Sequence, residues 1–322
     1  MEDLVVNFHT IDGTVHALNN VAFNVRKGEV LGLVGETGCG KTVTSLAMLR
    51  LLPDNAEVVS GRIFFEGRNL LAEKLDEVAK IRGRRISMIF QDPASSLNPV
   101  FKIGAQLLDV LKIYYPNEDE KHLEKVAQEK LLMTELPDPE SVMSLYPHEL
   151  SGGMQQRVIM AVALSSSPSL IIADEPTTAL DVTIQAQVLA LLKRLKDALG
   201  LSVLLITHNL GLVRELCDRV AIMYAGSIVE AADVQRIFRN PKHPYTRGLL
   251  SSVVTGRLRG QELRHIPGMV PSLLKPPSGC RFHPRCDYAL PICRDKRPEL
   301  LEVEPSHFVA CFNMPKEAWW RE

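Results

Sequence analysis

Positive charge is not in excess in this chain. Its 37 lysines and arginines are matched by 38 aspartates and glutamates, for a formal net charge of −1. A dedicated nucleic-acid binder carries a basic bias or stripe, so no nucleic-acid partner is expected. The opening residues, Met1-Glu-Asp-Leu-Val-Val-Asn-Phe8, lack the positive stretch and apolar core of a secretory signal. No uninterrupted apolar run approaches the roughly 18 residues of a membrane span. Internal repeats and low-complexity tracts are missing too. Together these absences point to a cytosolic protein, or to one held at a membrane through its partners. Cysteine is sparse until the tail: Cys39 and Cys217 stand alone, whereas Cys280, Cys286, Cys293 and Cys311 cluster. In a cytosolic chain such a cluster points to metal before disulfides.

What is present is the composition of a globular protein, 46% hydrophobic and 23% charged over 322 residues, enough for one large or two modest domains. Glu29 to Gly35 reads as a short buried strand that enters a glycine-rich turn, followed by a helix from about Lys41 to Leu52. Gly61–Gly67, Arg85–Phe90, Leu170–Ala173 and Ser202–Ile206 read as further strands, and Val182–Leu199 as a helix. This alternation predicts a largely parallel sheet flanked by helices. The helical stretch between Phe90 and Leu170, including Glu118–Met133, is too long for a crossover and predicts a subdomain. Short helices are expected at Asp233–Arg239 and Tyr245–Val254. From Ile266 onward prolines are dense, and the tail should be poor in regular structure and need a staple.

Three motifs and four single residues carry chemistry. Gly35-Glu36-Thr37-Gly38-Cys39-Gly40-Lys41-Thr42 fits G-x-x-x-x-G-K-[ST] between a strand and a helix. Glycines let backbone amides close around phosphates, Lys41 reaches the β- and γ-phosphates, and the Thr42 hydroxyl suits Mg²⁺. Cys39 reads as loop filler. Leu170-Ile-Ile-Ala-Asp174-Glu175 is an apolar strand ending in two acids, Asp174 for Mg²⁺ and Glu175 to polarise the attacking water. Leu150-Ser151-Gly152-Gly153-Met-Gln155-Gln-Arg157 places two glycines at a helix start with free amides, a ready anion site. Gln91 and His208 each follow a strand. The first offers an uncharged amide to Mg²⁺ or water, the second a hydrogen bond to the γ-phosphate. Asp181 follows the acidic strand and can cross to a second subunit. Phe8, ahead of the turn at Asp12-Gly13, can stack on adenine or pack in a core.

In order and spacing these motifs resemble an ATP-binding cassette (ABC) ATPase over roughly residues 1–235. Gly35–Thr42 is similar to Walker A (with Thr44 just beyond it), Gln91 to the Q-loop, and Leu150–Arg157 to the signature. Ile171–Glu175 is similar to Walker B, Ala179–Asp181 to the D-loop, His208 to the H-loop and Phe8 to the aromatic A-loop. The resemblance implies an α/β P-loop NTPase fold: a RecA-like core, an antiparallel β subdomain, a helical signature subdomain over about 95–167, and a small irregular extension over 236–322. It also implies that two such ATPases, self or paralogue, sandwich two ATP molecules. Ser151, Gly152, Gly153 and Gln155 would then act on the nucleotide held by the other chain.

Gln91-Asp-Pro-Ala-Ser-Ser-Leu-Asn-Pro99, Tyr146-Pro-His-Glu, Glu175-Pro-Thr-Thr-Ala-Leu-Asp-Val-Thr, Asn240-Pro-Lys-His-Pro-Tyr-Thr, Ile266-Pro-Gly-Met-Val-Pro and Gly279-Cys-Arg-Phe-His-Pro-Arg-Cys286 narrow the resemblance further. They are similar to the oligopeptide/dipeptide/nickel branch of importer ATPases. That branch implies a peripheral subunit on the cytoplasmic face of the cell membrane, working with a second ATPase, two permease subunits and, through them, an extracytoplasmic binding protein. Peptides are the implied cargo, with nickel or oligosaccharides as alternatives. A soluble ABC ATPase of DNA repair or translation is the competing class. Some members of the branch carry a [4Fe–4S] cluster on C-terminal cysteines. The spacing Cys280-x5-Cys286-x6-Cys293-x17-Cys311, within 280–311, suits that cluster or Zn²⁺.

Overall fold

A computed structural model describes residues 1–92, 96–177, 180–252 and 266–313. Part of three expected motifs therefore lies outside the described residues: Pro93, Ala94 and Ser95 after Gln91, and Thr178 and Ala179 before Asp181. So do positions 253 and 254 of the expected second tail helix. The chain forms two compact units. One comprises Met1–Asn24, Leu31–Glu73 and Thr207–Glu322, the other Val25–Val30 and Lys74–Ile206.

The strand Val30–Val34, in the first unit from Leu31 onward, is buried along its whole length and runs parallel to Arg219–Tyr224, with Leu31 beside Arg219 and Val34 beside Ile222. Strands buried on both faces read as continuous apolar runs, which is what VLGLV is. Arg219–Tyr224 turns back through Ala225 (φ 43°) and Gly226 (φ 81°) into the antiparallel strand Ser227–Asp233. Two positive φ values in a two-residue loop match the twist of a hairpin. Outside Ser227–Asp233 lie His307–Val309 and then Leu301–Glu304, an antiparallel hairpin from the tail. Among the described residues the tail is therefore mostly irregular, as expected, but it adds two strands to this sheet. A separate antiparallel sheet runs in the order Gly13–Val21, Glu2–Thr10, Ala56–Arg62.

Two expected boundaries shift, each for a local reason. The strand expected over Gly61–Gly67 lies over Ala56–Arg62 and resumes at Phe64–Phe65. At Gly61 (φ +114°) an added Cβ would sit 2.6 Å from Leu4 Cα, so the chain bends where two backbones touch. The helix after the phosphate loop ends at Met48, before Pro53 can stop it. Arg50 takes a left-handed φ of 51°, and its guanidinium donates to the carbonyls of Leu70 and Glu73.

In the second unit Ile86–Ile89 and Leu170–Asp174 pair in parallel, and Leu170–Asp174 pairs in parallel with Ser202–Ile206. The helices Ile103–Tyr114, Glu120–Met133, Pro139–Ser144 and Gly152–Ala163 pack on one another, and Gly152–Ala163 also packs on Val182–Leu199. Asp181 caps Val182–Leu199, its Oδ1 accepting from Thr183 N at 3.1 Å and Ile184 N at 3.0 Å. Gly200, at φ 66°, ends that helix.

Candidate nucleotide site and its C-terminal contacts

The phosphate loop leaves the buried strand at Gly35, where no other residue fits. A Cβ there would lie 2.2 Å from Met223 O and 2.6 Å from Cys39 Sγ. Gly38 (φ +80°) and Gly40 (φ +106°) supply the left-handed backbone that turns the loop. Gly40 is also the N-cap of Lys41–Met48 and offers no side chain to its amides. A helix start of this kind presents N–H groups and a positive dipole end to an anion. Lys41 is 5% exposed, its Nζ donating to Gly35 O at 2.8 Å and Glu36 O at 3.2 Å. Thr37, Gly38 and Thr42 are exposed. Thr44 is fully buried, its hydroxyl donating to Gly40 O at 2.9 Å, so its contact is with the loop backbone. Cys39 is buried, and burial raises its thiol pKa, in keeping with a filler. Phe8 is half-buried in Glu2–Thr10, paired with Val15 and Ala56. His208 is exposed just before Asn209, which caps Leu210–Leu216.

In the second unit Asp174 is 2% exposed at the end of its strand. Glu175 takes φ 44°, an uncommon value for glutamate, while its N–H donates to Ile206 O at 2.9 Å. Its carboxylate accepts from Gln91 Nε2 at 3.3 Å. Of the expected catalytic residues, these two are brought together in this unit. Ser151 caps the signature helix Gly152–Ala163, its Oγ accepting from Met154 N at 3.3 Å. Added Cβ atoms at Gly152 and Gly153 would lie 3.1 Å from Leu180 Cδ2 and 2.8 Å from Ile184 Cγ2, so both glycines serve close packing. Gln155 turns back, its Nε2 donating to Pro147 O at 2.8 Å and Leu150 O at 3.3 Å.

Sequence reasoning missed what surrounds the phosphate loop in the first unit. The Tyr245 hydroxyl accepts from Glu36 N at 3.1 Å. Tyr224, Tyr245 and Phe282 form an aromatic cluster, with ring centroids 4.6 Å apart for the tyrosine pair and 5.1 Å for Tyr224 and Phe282. Arg285 Nη1 donates to both carboxylate oxygens of Glu36, at 3.2 and 3.0 Å. Burial alone would lower the Arg285 pKa, but hydrogen bonds to Tyr224 and Glu36 hold it above its usual value. Arg281 donates to His16 O and Ala225 O. The available signals were the stretches Asn240-Pro-Lys-His-Pro-Tyr-Thr246 and Gly279-Cys-Arg-Phe-His-Pro-Arg-Cys286, which point to a branch of the family but not to what Tyr245 and Arg285 touch.

All six cysteines are free, with Cys293 buried and Cys280, Cys286 and Cys311 half-buried. Burial pushes the Cys286 thiol up to about 11 and the Cys311 thiol up to about 12. Neighbouring cysteines add to both shifts, and Cys311 feels Cys280, Cys286 and Cys293. Cys280 and Cys293 are also joined through the backbone, Cys280 N donating to Cys293 O at 2.9 Å. Yet among the described residues no group of three or more His, Cys, Asp or Glu is arranged to hold a metal ion.

Residues 18–178 match the family described as ABC transporter. The chain belongs to that family. Residues 229–293 match the family described as oligopeptide/dipeptide transporter, C-terminal region. The probable peptide ABC transporter ATP-binding protein y4tR of Sinorhizobium fredii is 50% identical, covering 97% of this chain and 93% of that protein. The oligopeptide transport ATP-binding protein OppD of Escherichia coli is 44% identical, covering 98% and 93%. Among solved structures, the dimeric ATP-binding cassette MJ0796, in a post-hydrolysis state bound to ADP and Pi, superposes with a TM-score of 0.64 at 27% identity. That comparison covers 72% of this chain and 97% of the other. The family and the neighbour agree on an ABC ATPase fold with a C-terminal extension. Among the described residues no helix is long and apolar enough to cross a membrane.

Proposed function

We propose that this chain is the ATP-hydrolysing subunit of a binding-protein-dependent ABC importer of dipeptides or oligopeptides, at the cytoplasmic face of the membrane. The family supports ATP as the fuel, and the names of the relatives support peptides as the cargo. The observation that carries the catalytic reading is the Gln91–Glu175 contact, next in sequence to the buried Asp174 that ends its strand. Glu175 accepts a proton from the attacking water. Gln91 holds that carboxylate and can withdraw with the helical segment that follows it. His208 hydrogen-bonds the γ-phosphate. Phe8 stacks on adenine, and Gly35–Thr42 with Thr44 forms the phosphate loop. Thr42, Gln91 and Asp174 are oxygen donors of the kind Mg²⁺ takes, and the ion would neutralise phosphate charge. The cassette spans 1–235, with its helical subdomain at about 95–167 and the extension at 236–322.

The working unit pairs this chain with a second ATPase, a copy or a paralogue, and with two permease subunits that meet the external binding protein. Ser151, Gly152, Gly153 and Gln155 act on the partner's nucleotide, with Asp181 at the same junction. Glu175→Gln tests the assignment. Nucleotide affinity should stay within about twofold of wild type while turnover falls ~10²–10⁴-fold. Near-normal turnover would refute Glu175 as the base.

Cys280, Cys286, Cys293 and Cys311 are the ligand set of a structural [4Fe–4S] cluster, with Zn²⁺ as the alternative. Four cysteines offer the thiolate donors a soft centre takes; burial holds Cys280, Cys286 and Cys311 protonated in its absence, so binding would have to release their protons. Bound there, it would staple the proline-rich tail. Iron and acid-labile sulfide should both be found in anaerobically purified protein. Zinc without iron would exclude the cluster.

A further inference from the structure

The contacts of Arg285 have no place in the catalytic reading above. This residue lies far along the chain from the phosphate loop, in the tail, yet its side chain is only 8% exposed. One edge of its guanidinium is fixed by the tail itself: Nε donates to Pro267 O at 2.8 Å and Nη2 to Ile266 O at 3.3 Å. The other edge, Nη1, faces Glu36, 3.2 and 3.0 Å from its two oxygens, and the Tyr224 hydroxyl at 3.4 Å. Glu36 is the second residue of the phosphate loop. Its carbonyl also accepts from Lys41 Nζ at 3.2 Å, and its N–H donates to Tyr245 at 3.1 Å. Every polar group of Glu36 is therefore held, by the loop lysine or by residues beyond position 220. Phe282 packs the rings of Tyr224 and Tyr245 from the tail side, with centroids 5.1 and 5.4 Å away.

A glycine-rich loop has many backbone states and loses that freedom when it closes on phosphates. A side chain that holds the loop in its binding shape before nucleotide arrives reduces that cost and raises affinity. We propose that Arg285 is a positioning residue for the phosphate loop: through Glu36 it sets the geometry in which Gly35–Lys41 receive ATP, so the C-terminal region tunes nucleotide affinity. This rests on reading the loop as the ATP site. Arg285 touches no reacting atom, so its effect falls on binding and not on the chemical step.

The test uses the full-length chain. Binding of a fluorescent ATP analogue is measured on the purified protein, and turnover on the assembled transporter. Arg285→Ala should weaken binding and raise the KM for ATP about five- to tenfold, the net worth of one typical hydrogen bond. The kcat at saturating ATP should stay within about twofold. Glu36→Gln, made on the loop side and leaving the tail untouched, should weaken binding of the analogue by a similar factor. The double variant should be no worse than either single one. Arg285→Lys, which keeps the charge but loses the fork, should fall between. Unchanged affinity in Arg285→Ala, multiplying effects in the double variant, or an equal loss of kcat with a lowered unfolding temperature would each overturn the proposal. Lys41→Ala separates the two readings. If it binds the analogue like wild type, the ATP reading fails and takes the proposal with it. If it loses binding while Arg285→Ala does not, the positioning role alone fails.

Discussion

Gly35 and Gly38 are close neighbours in one loop and would fail differently if given a methyl group. At Gly35 the obstacle is space: the new Cβ meets the Met223 carbonyl at 2.2 Å, and a backbone atom of a buried strand cannot step aside. At Gly38 nothing lies within 4 Å, and the obstacle is the φ of +80°. A left-handed alanine costs about 1–2 kcal/mol. Overpacking costs about 1–3 kcal/mol and here also moves the loop. Gly35→Ala should therefore lose both stability and ATP binding, while Gly38→Ala should show a milder loss of each in denaturant titration and nucleotide binding. The reverse order would mean that Met223 is not where the clash lies. Both glycines were legible from the motif. That one answers to a neighbouring strand and the other to its own backbone was not, because Met223 is remote in sequence.

At the scale of elements, the edge between the tail hairpin and Ser227–Asp233 is held by a buried carboxylate. Glu230 is fully buried and accepts from Lys242 N at 2.7 Å, His243 N at 2.9 Å and His307 Nε2 at 2.7 Å. His243 in turn caps Pro244–Ser251, its Nδ1 accepting from Tyr245 N at 3.0 Å. Burial pushes the His243 pKa down to about 4, with Arg247 also lowering it and Glu230 opposing. An imidazole kept neutral in the fold but free to protonate when unfolded makes the unfolded state the stronger proton binder. Stability therefore rises with pH between about 4 and 6.5 and is lost on acidification through that window. The contribution is on the order of 3 kcal/mol. His243→Asn, which can still cap the helix, should flatten this part of the pH profile in urea unfolding. An equally steep profile would place the titrating group elsewhere. A short helix here was expected from the sequence, and its cap was not, since histidine is an unusual capping residue.

The whole molecule is proposed to work as half of a nucleotide sandwich, and the Glu175→Gln variant carries a prediction at that scale too. With ATP bound and hydrolysis blocked, the γ-phosphate bridge should persist. The variant should then elute as a dimer in ATP and as a monomer in ADP when its partner ATPase is a copy. With a paralogous partner, the two chains should co-elute only in ATP. Monomer in every nucleotide would refute the signature's action on a neighbouring chain.

Local chemistry was enough for much of this protein. Apolar runs such as VLGLV and LIIAD announce buried parallel strands because both of their faces must be covered. Likewise, the glycine-rich loop, Lys41 and the acid pair follow a motif and a spacing, so the sequence singles them out as candidates. Contacts between distant segments belong to the tertiary structure alone. It turned a proline-rich tail into two added strands, gave Glu230 its three donors, and brought Arg285 onto Glu36. None of these has a periodicity or a fixed spacing, because each depends on where the folded backbone carries a side chain and not on what its sequence neighbours are.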